Sequence, residues 1–129
     1  MRGIVFTGEG PMAEVRNDVE VRAPGPNEVL VRVAAAGVCH SDVSLLDGTI
    51  PWPAPSLMGH EGAGVVEAIG SEVTRVKPGD HVVIATVANC GLCKWCNTGR
   101  PTWCRASIAN RTEPFTVGGE KAGNFAATS

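Results

Sequence analysis

The sequence predicts a mainly β domain, a small barrel or sandwich of short strands with one or two short helices. Three observations carry that prediction. Glycine and proline make up 25 of the 129 residues, against a usual share of roughly 12%, which is too many breakers for a helical bundle. Short alternating or β-branched runs recur along the chain, each closed by glycine or proline. At 13.4 kDa the chain suits one domain, and a hydrophobic share of 43% supplies a core and argues against disorder.

The elements follow in chain order. Val19-Glu20-Val21 reads as a strand running into the turn Pro24-Gly25-Pro26. Residues 28–33 alternate, with Val29, Val31 and Val33 on one face and Leu30 and Arg32 on the other. A helix begins after Cys39, with Ser41 or Asp42 as N-cap before Val43-Ser44-Leu45-Leu46. Residues 62–69 form a strand containing Val65 and Val66, Lys77-Pro78-Gly79-Asp80 forms a turn, and residues 81–87 form a further, almost wholly apolar strand. From Thr112 onward the periodicity fades, and residues 112–129 are expected to be exposed or loosely ordered. No internal repeat or linker interrupts the chain.

Charge and hydropathy narrow the function. Eleven basic residues against 13 acidic, with no block of like sign, argue against a nucleic-acid binder. No apolar run is long enough to span a membrane, and the stretch from Met1 to Glu9 is too short for a secretory h-region. The expectation is a soluble, cytoplasmic protein without nucleic-acid or membrane partners.

Four of the five cysteines, Cys90, Cys93, Cys96 and Cys104, are spaced C-x2-C-x2-C-x7-C, and Cys39 stands alone. Four thiolates can surround one tetrahedral zinc at ~2.3 Å, and three-residue spacings let a looped backbone present them to one point. Gly91, Gly99 and Pro101 supply bends, so residues 88–106 are expected to form a zinc lobe. Two disulfides, buried thiols acting as small hydrophobes, or a C-x-x-C redox pair are the other readings. An odd count without a secretory signal favours the metal.

Cys39-His40-Ser41-Asp42 and Gly59-His60-Glu61-Gly62 each carry a possible metal ligand. Cys39 follows a strand and opens the helix, where a thiolate is favoured. One thiolate and one imidazole make two of the three protein ligands that a catalytic zinc takes. A buried cysteine and a core histidine would account for the same residues.

Gly37-Val38-Cys39-His40-Ser41-Asp42, then the run from Gly59 to Glu67, then Lys77-Pro78-Gly79-Asp80-His81-Val82 and the four-cysteine lobe occur in that order. In this set and order the chain resembles the N-terminal, GroES-like catalytic domain of zinc-dependent alcohol dehydrogenases, in the medium-chain dehydrogenase/reductase superfamily. The likeness is clear from about Ile4 to Cys104 and looser beyond. It implies a GroES-like small barrel over residues 1–129, incomplete at its C-terminus.

The resemblance also implies roles. Cys39 and His60 would be catalytic zinc ligands, and Glu61 a carboxylate beside the metal or an alternate ligand. The family's third ligand lies further along, so this zinc is expected to be weakly held or missing in the 129-residue chain. Asp42 would accept the other ring N–H of His60. Zinc would acidify the alcohol, whose carbon gives a hydride to NAD or NADP. Ser41 would bind the substrate oxygen and pass its proton outward, and His40 would touch the cofactor pyrophosphate. Ile50, Trp52 and Thr86 would line the alcohol pocket. The partner is a small-molecule alcohol, and the full-length parent is expected to be a homo-oligomer.

Two departures from the family stand out. In many relatives the proton relay ends on a histidine a few residues beyond the relay serine, whereas here that neighbourhood is Val43-Ser44-Leu45. Ser44, the cofactor ribose or water would carry the proton instead. No G-x-G-x-x-G opens a helix, so the Rossmann cofactor domain is expected to be absent and the 129-residue chain inactive by itself. The competing expectation is a free-standing zinc-binding scaffold. Polyol and thiol-dependent formaldehyde dehydrogenases share the same motifs.

Overall fold

Among the described residues, the alternation seen in the sequence becomes nine short strands. They are β1 (Gly3–Phe6), β2 (Ala13–Arg16), β3 (Val19–Val21), β4 (Val29–Ala36), β5 (Ser56–Leu57), β6 (Gly62–Ile69), β7 (His81–Val83), β8 (Phe115–Val117) and β9 (Glu120–Asn124). Helix α1 (His40–Leu46) follows β4, and α2 (Lys94–Asn97) with a single 3-10 turn (Pro101–Trp103) lies between β7 and β8. The computed structural model describes residues 1–8, 13–86, 89–105 and 113–125. The fold is mainly β with two short helices and a cysteine cluster, as the sequence predicts.

The strands form two sheets, one of six strands in the order β2-β1-β5-β9-β8-β3 and one of three in the order β4-β6-β7. The core belongs to the six-stranded sheet, where Val5, Val19, Leu57, Val117 and Ala122 are buried together and Phe115 packs against them. Register explains the grouping: Val5 lies opposite Leu57, and Val19 opposite Val117. Each pair thus buries apolar side chains from strands far apart in sequence.

Four expectations need correction. Residues 112–129 were expected to be exposed or loosely ordered, yet β8 and β9 form a hairpin whose Val117 and Ala122 are core residues. Gly118 and Gly119, with φ of 60° and 84°, make the two-residue turn that closes it. Residues 112 and 126–129 lie outside the described residues. The strand expected over 81–87 ends at Val83, where pairing with β6 stops, and residue 87 lies outside the described set. Two register shifts in the β4·β6 ladder, between Leu30 and Val31 and between Val33 and Ala35, break the alternation, so Val33 is 53% exposed. The N-cap of α1 is Cys39, for a reason given below.

Candidate metal centres

The cysteine lobe is built from its turns. Cys93 is the N-cap of α2, Cys96 lies within it, and Cys104 follows the 3-10 turn. Trp95 and Trp103 pack with centroids 5.1 Å apart, holding helix against turn, and the Arg100 amide donates to the Trp95 carbonyl at 2.8 Å. The Sγ separations are 3.5 Å for Cys93 and Cys96, 3.8 Å for Cys93 and Cys104, and 3.6 Å for Cys104 and Cys90. Four sulfurs around one tetrahedral zinc at ~2.3 Å would stand ~3.8 Å apart. The donor set therefore fits one zinc, and the spacings are far longer than the ~2.05 Å of a disulfide.

Backbone amides reinforce the sulfurs. The Cys93 amide points at Cys90 Sγ at 3.3 Å, and the Cys90 amide at Cys104 Sγ at 3.5 Å. The Cys96 backbone amide holds the Cys93 thiol below its ordinary value, while burial, then the neighbouring Cys93 sulfur, pushes Cys96 up to about 11. Two neighbouring thiols pulled in opposite directions favour loss of the Cys93 proton first. Residues 88 and 106, the ends of the lobe expected from the sequence, lie outside the described residues.

The second centre assembles where β4 hands over to α1 and where a loop enters β6. Asp42, at the third helical position, reaches back so that its Oδ2 accepts from the Cys39 amide at 2.9 Å. That bond makes Cys39 the N-cap and places Ser41 and Asp42 inside the first turn. The helix is anchored by Leu45, which is fully buried. His60 follows Gly59, whose φ of 104° turns the loop back toward α1. Thr86 Oγ1 donates to the His60 carbonyl at 3.2 Å. Thr86 thus supports the His60 backbone.

The functional atoms then converge. One ligand atom each from Cys39, His60 and Glu61 lies within 4.8 Å of the other two. Ser41 Oγ stands 3.1 Å from Cys39 Sγ and 2.9 Å from His60 Nε2, between the two donors. His60 Nδ1 faces Asp42 Oδ1 at 3.3 Å, and both side chains are buried. A carboxylate on Nδ1 favours the tautomer that leaves the Nε2 lone pair free. Sulfur, imidazole nitrogen and carboxylate oxygen are a donor set that suits zinc. Glu61 is exposed, and His40 is exposed in the first turn of α1.

Sequence reasoning missed Phe125. Its ring lies edge-on to His60 with centroids 5.1 Å apart and edge-on to Trp52 at 4.9 Å. Trp52 therefore borders the centre through Phe125. Ile50, whose amide donates to the Ser44 carbonyl at 2.8 Å, sits just past the end of α1. The one local clue to Phe125 is an aromatic ring in a chain with only three phenylalanines. Nothing near it in sequence points at His60.

Comparison with known proteins adds a third line. The alcohol dehydrogenase GroES-like domain family matches residues 25–128. The putative alcohol dehydrogenase D of Mycobacterium tuberculosis is 54% identical over 87 residues, covering 67% of this chain and 24% of that protein. The NDMA-dependent alcohol dehydrogenase of Amycolatopsis methanolica is 49% identical over 87 residues, with the same coverage of 67% and 24%. Among solved structures, an alcohol dehydrogenase zinc-binding domain protein from Burkholderia ambifaria superposes with a TM-score of 0.84 at 35% identity, covering 96% of this chain and 35% of that one. The chain spans about a quarter of the curated relatives it matches.

Proposed function

The chain belongs to the alcohol dehydrogenase GroES-like domain family, and from that premise we propose that it is the zinc-holding, alcohol-activating domain of a zinc-dependent alcohol dehydrogenase. The observation that carries the reading is the meeting of Cys39, His60 and Glu61 within 4.8 Å, with Asp42 behind His60 and Ser41 between the donors. Cys39, His60 and Glu61 would hold a catalytic zinc, and Cys90, Cys93, Cys96 and Cys104 a structural one. Bound zinc would supply the Lewis acidity that loosens the alcohol proton, and NAD or NADP the hydride acceptor.

The chain's own residues do the rest. Ser41, at hydrogen-bond distance from Cys39 Sγ and from the His60 ring nitrogen, would bind the alcohol oxygen and take up its proton while passing its own hydroxyl proton outward. Asp42 fixes the ring of His60 and caps α1 at once. Phe125 packs edge-on against His60 and Trp52 edge-on against Phe125, which puts apolar surface beside the ring. His40, exposed on the first turn, is available to a cofactor pyrophosphate. Five unbridged cysteines suit the reducing cytoplasm.

The test uses the parent enzyme and this chain side by side. The parent is expected to carry two zinc ions per chain and to reduce NAD or NADP only when a small alcohol is supplied. The 129-residue chain, which contains no G-x-G-x-x-G, is expected to show no calorimetric heat with either dinucleotide. A parent without zinc, or one with zinc that oxidises no alcohol, contradicts the proposal.

A further inference from the structure

Resting on the reading of Glu61 as a metal-facing carboxylate, we propose that Gly37 is a positioning residue for that carboxylate. Glycine is required at position 37 because a side chain there would occupy the space in which Glu61 lies.

A glycine is demanded either by a left-handed backbone or by a close approach. Gly37 is not among the glycines with positive φ, so the first reason does not apply. The second does. Ala36 pairs with Gly62 at the end of the β4·β6 ladder, and one step further the Gly37 amide donates to the Glu61 carbonyl at 2.8 Å. Residues 37 and 61 therefore stand opposite each other, where side chains of an antiparallel pair meet on one face. A Cβ on Gly37 would lie 2.7 Å from Glu61 Oε2, 3.4 Å from its Cβ and 3.7 Å from its Cδ. All three of its nearest atoms belong to Glu61.

The consequence is quantitative. Ordinary contact begins at 3.4 Å, so a methyl at 37 drives the carboxylate oxygen away by about 0.7 Å. A metal donor tolerates only about 0.2 Å. The clashing oxygen is the mobile end of a flexible side chain, so the strand ladder can stay intact while the donor moves. Gly37→Ala is thus a displacement of Glu61 made without touching Cys39, His60 or Glu61.

The experiment measures zinc affinity in the 129-residue chain, with one equivalent already bound in the cysteine lobe and the second equivalent competed against a chromophoric chelator. The chain with its native sequence, Gly37→Ala, Glu61→Ala and the double variant are compared, with circular dichroism of each. Gly37→Ala is expected to weaken the second site by roughly tenfold or more, Glu61→Ala to weaken it as well, and the double variant to bind like Glu61→Ala. A fold lost with Gly37→Ala and restored by adding Glu61→Ala also supports the proposal, since it traces the damage to the carboxylate. Unchanged affinity in Gly37→Ala, an equal further loss in the Glu61→Ala background, or loss of fold in both backgrounds overturns it. Unchanged affinity in Glu61→Ala overturns the ligand reading of Glu61 itself, and the role of Gly37 with it.

Discussion

The Nδ1 atom of His60 faces Asp42 Oδ1 at 3.3 Å, with His60 5% and Asp42 6% exposed. The other oxygen of the same carboxylate accepts from the Cys39 amide at 2.9 Å. One side chain therefore caps the backbone of one candidate ligand and lies against the ring of the other, although the two lie 21 residues apart in sequence.

Asp42→Asn can keep only one of those two acceptors, since an amide has a single oxygen. Zinc affinity at the second site is expected to fall roughly 10–100-fold, with the lobe zinc retained. Asp42→Ala should in addition fray α1, at a cost of about 1 kcal/mol. Chelator competition measures the first effect and circular dichroism the second. Second-site affinity unchanged in Asp42→Asn would remove the orienting role.

Cys96→Ser, or a strong chelator, should unfold the lobe alone. Metal binding and local folding are linked, so losing one of four sulfurs removes the cross-link between α2 and the 3-10 turn. Hydrogen exchange should show protection lost over residues 89–105 and kept in β1, β5 and β9. A metal-free lobe that remains ordered through disulfides would contradict this.

Ser41→Ala, made in the parent enzyme, should lower alcohol oxidation by roughly a hundredfold while zinc content stays constant. Its hydroxyl touches both donor atoms but is not itself needed to cap α1. An unaffected rate would take Ser41 out of proton transfer.

Asp18→Asn should lower thermal stability slightly, in a pH-dependent way. Arg16 donates to both Asp18 oxygens, at 3.0 Å and 2.6 Å, and holds the carboxyl below its ordinary 3.8. Because the folded-state value is depressed, the pair stabilises the fold above pH 3.8 and loses that contribution as the pH falls through the folded value. The difference in Tm between the two proteins should therefore be present at neutral pH and vanish in acid. It should also shrink in high salt, since both side chains are exposed. A gap that persists in acid would exclude the pair as its source.

The sequence made the metal chemistry legible because it is local. Three sulfurs of the lobe fall within seven residues, and Cys39, Ser41 and Asp42 within four. A single helical turn or loop can then bring them together. The strands that read clearly, β3, β4 and β6, are those whose β-branched runs are bounded by glycine or proline. Strands β1 and β2 escape notice because a four-residue strand has too few alternations to register. The hairpin of β8 and β9 carries a turn signal in Gly118-Gly119, but its flanking strands alternate too weakly for the sequence to show them. Phe125 was invisible for another reason: its meeting with His60 exists only after β9 has paired with β5.

The pairing of β3 with β8 also sets an order of assembly. Val19 meets Val117 across nearly a hundred residues, and Ser56 meets Gly123 across more than sixty. A chain emerging from the ribosome at about 5–20 residues per second has made β1, β2, β3 and β5 well before the two strands that complete their sheet. During those seconds the core valines Val5 and Val19 lack the strands β8 and β9 that cover them, while Cys39 and His60 can already be brought together by the pairing of β4 with β6, before Thr86 and Phe125 arrive beside His60. Closing such long loops makes folding slow. Synthesis halted before Val117 would leave a nascent chain that carries its metal-binding residues but exposes the apolar edge of an unfinished sheet to chaperones.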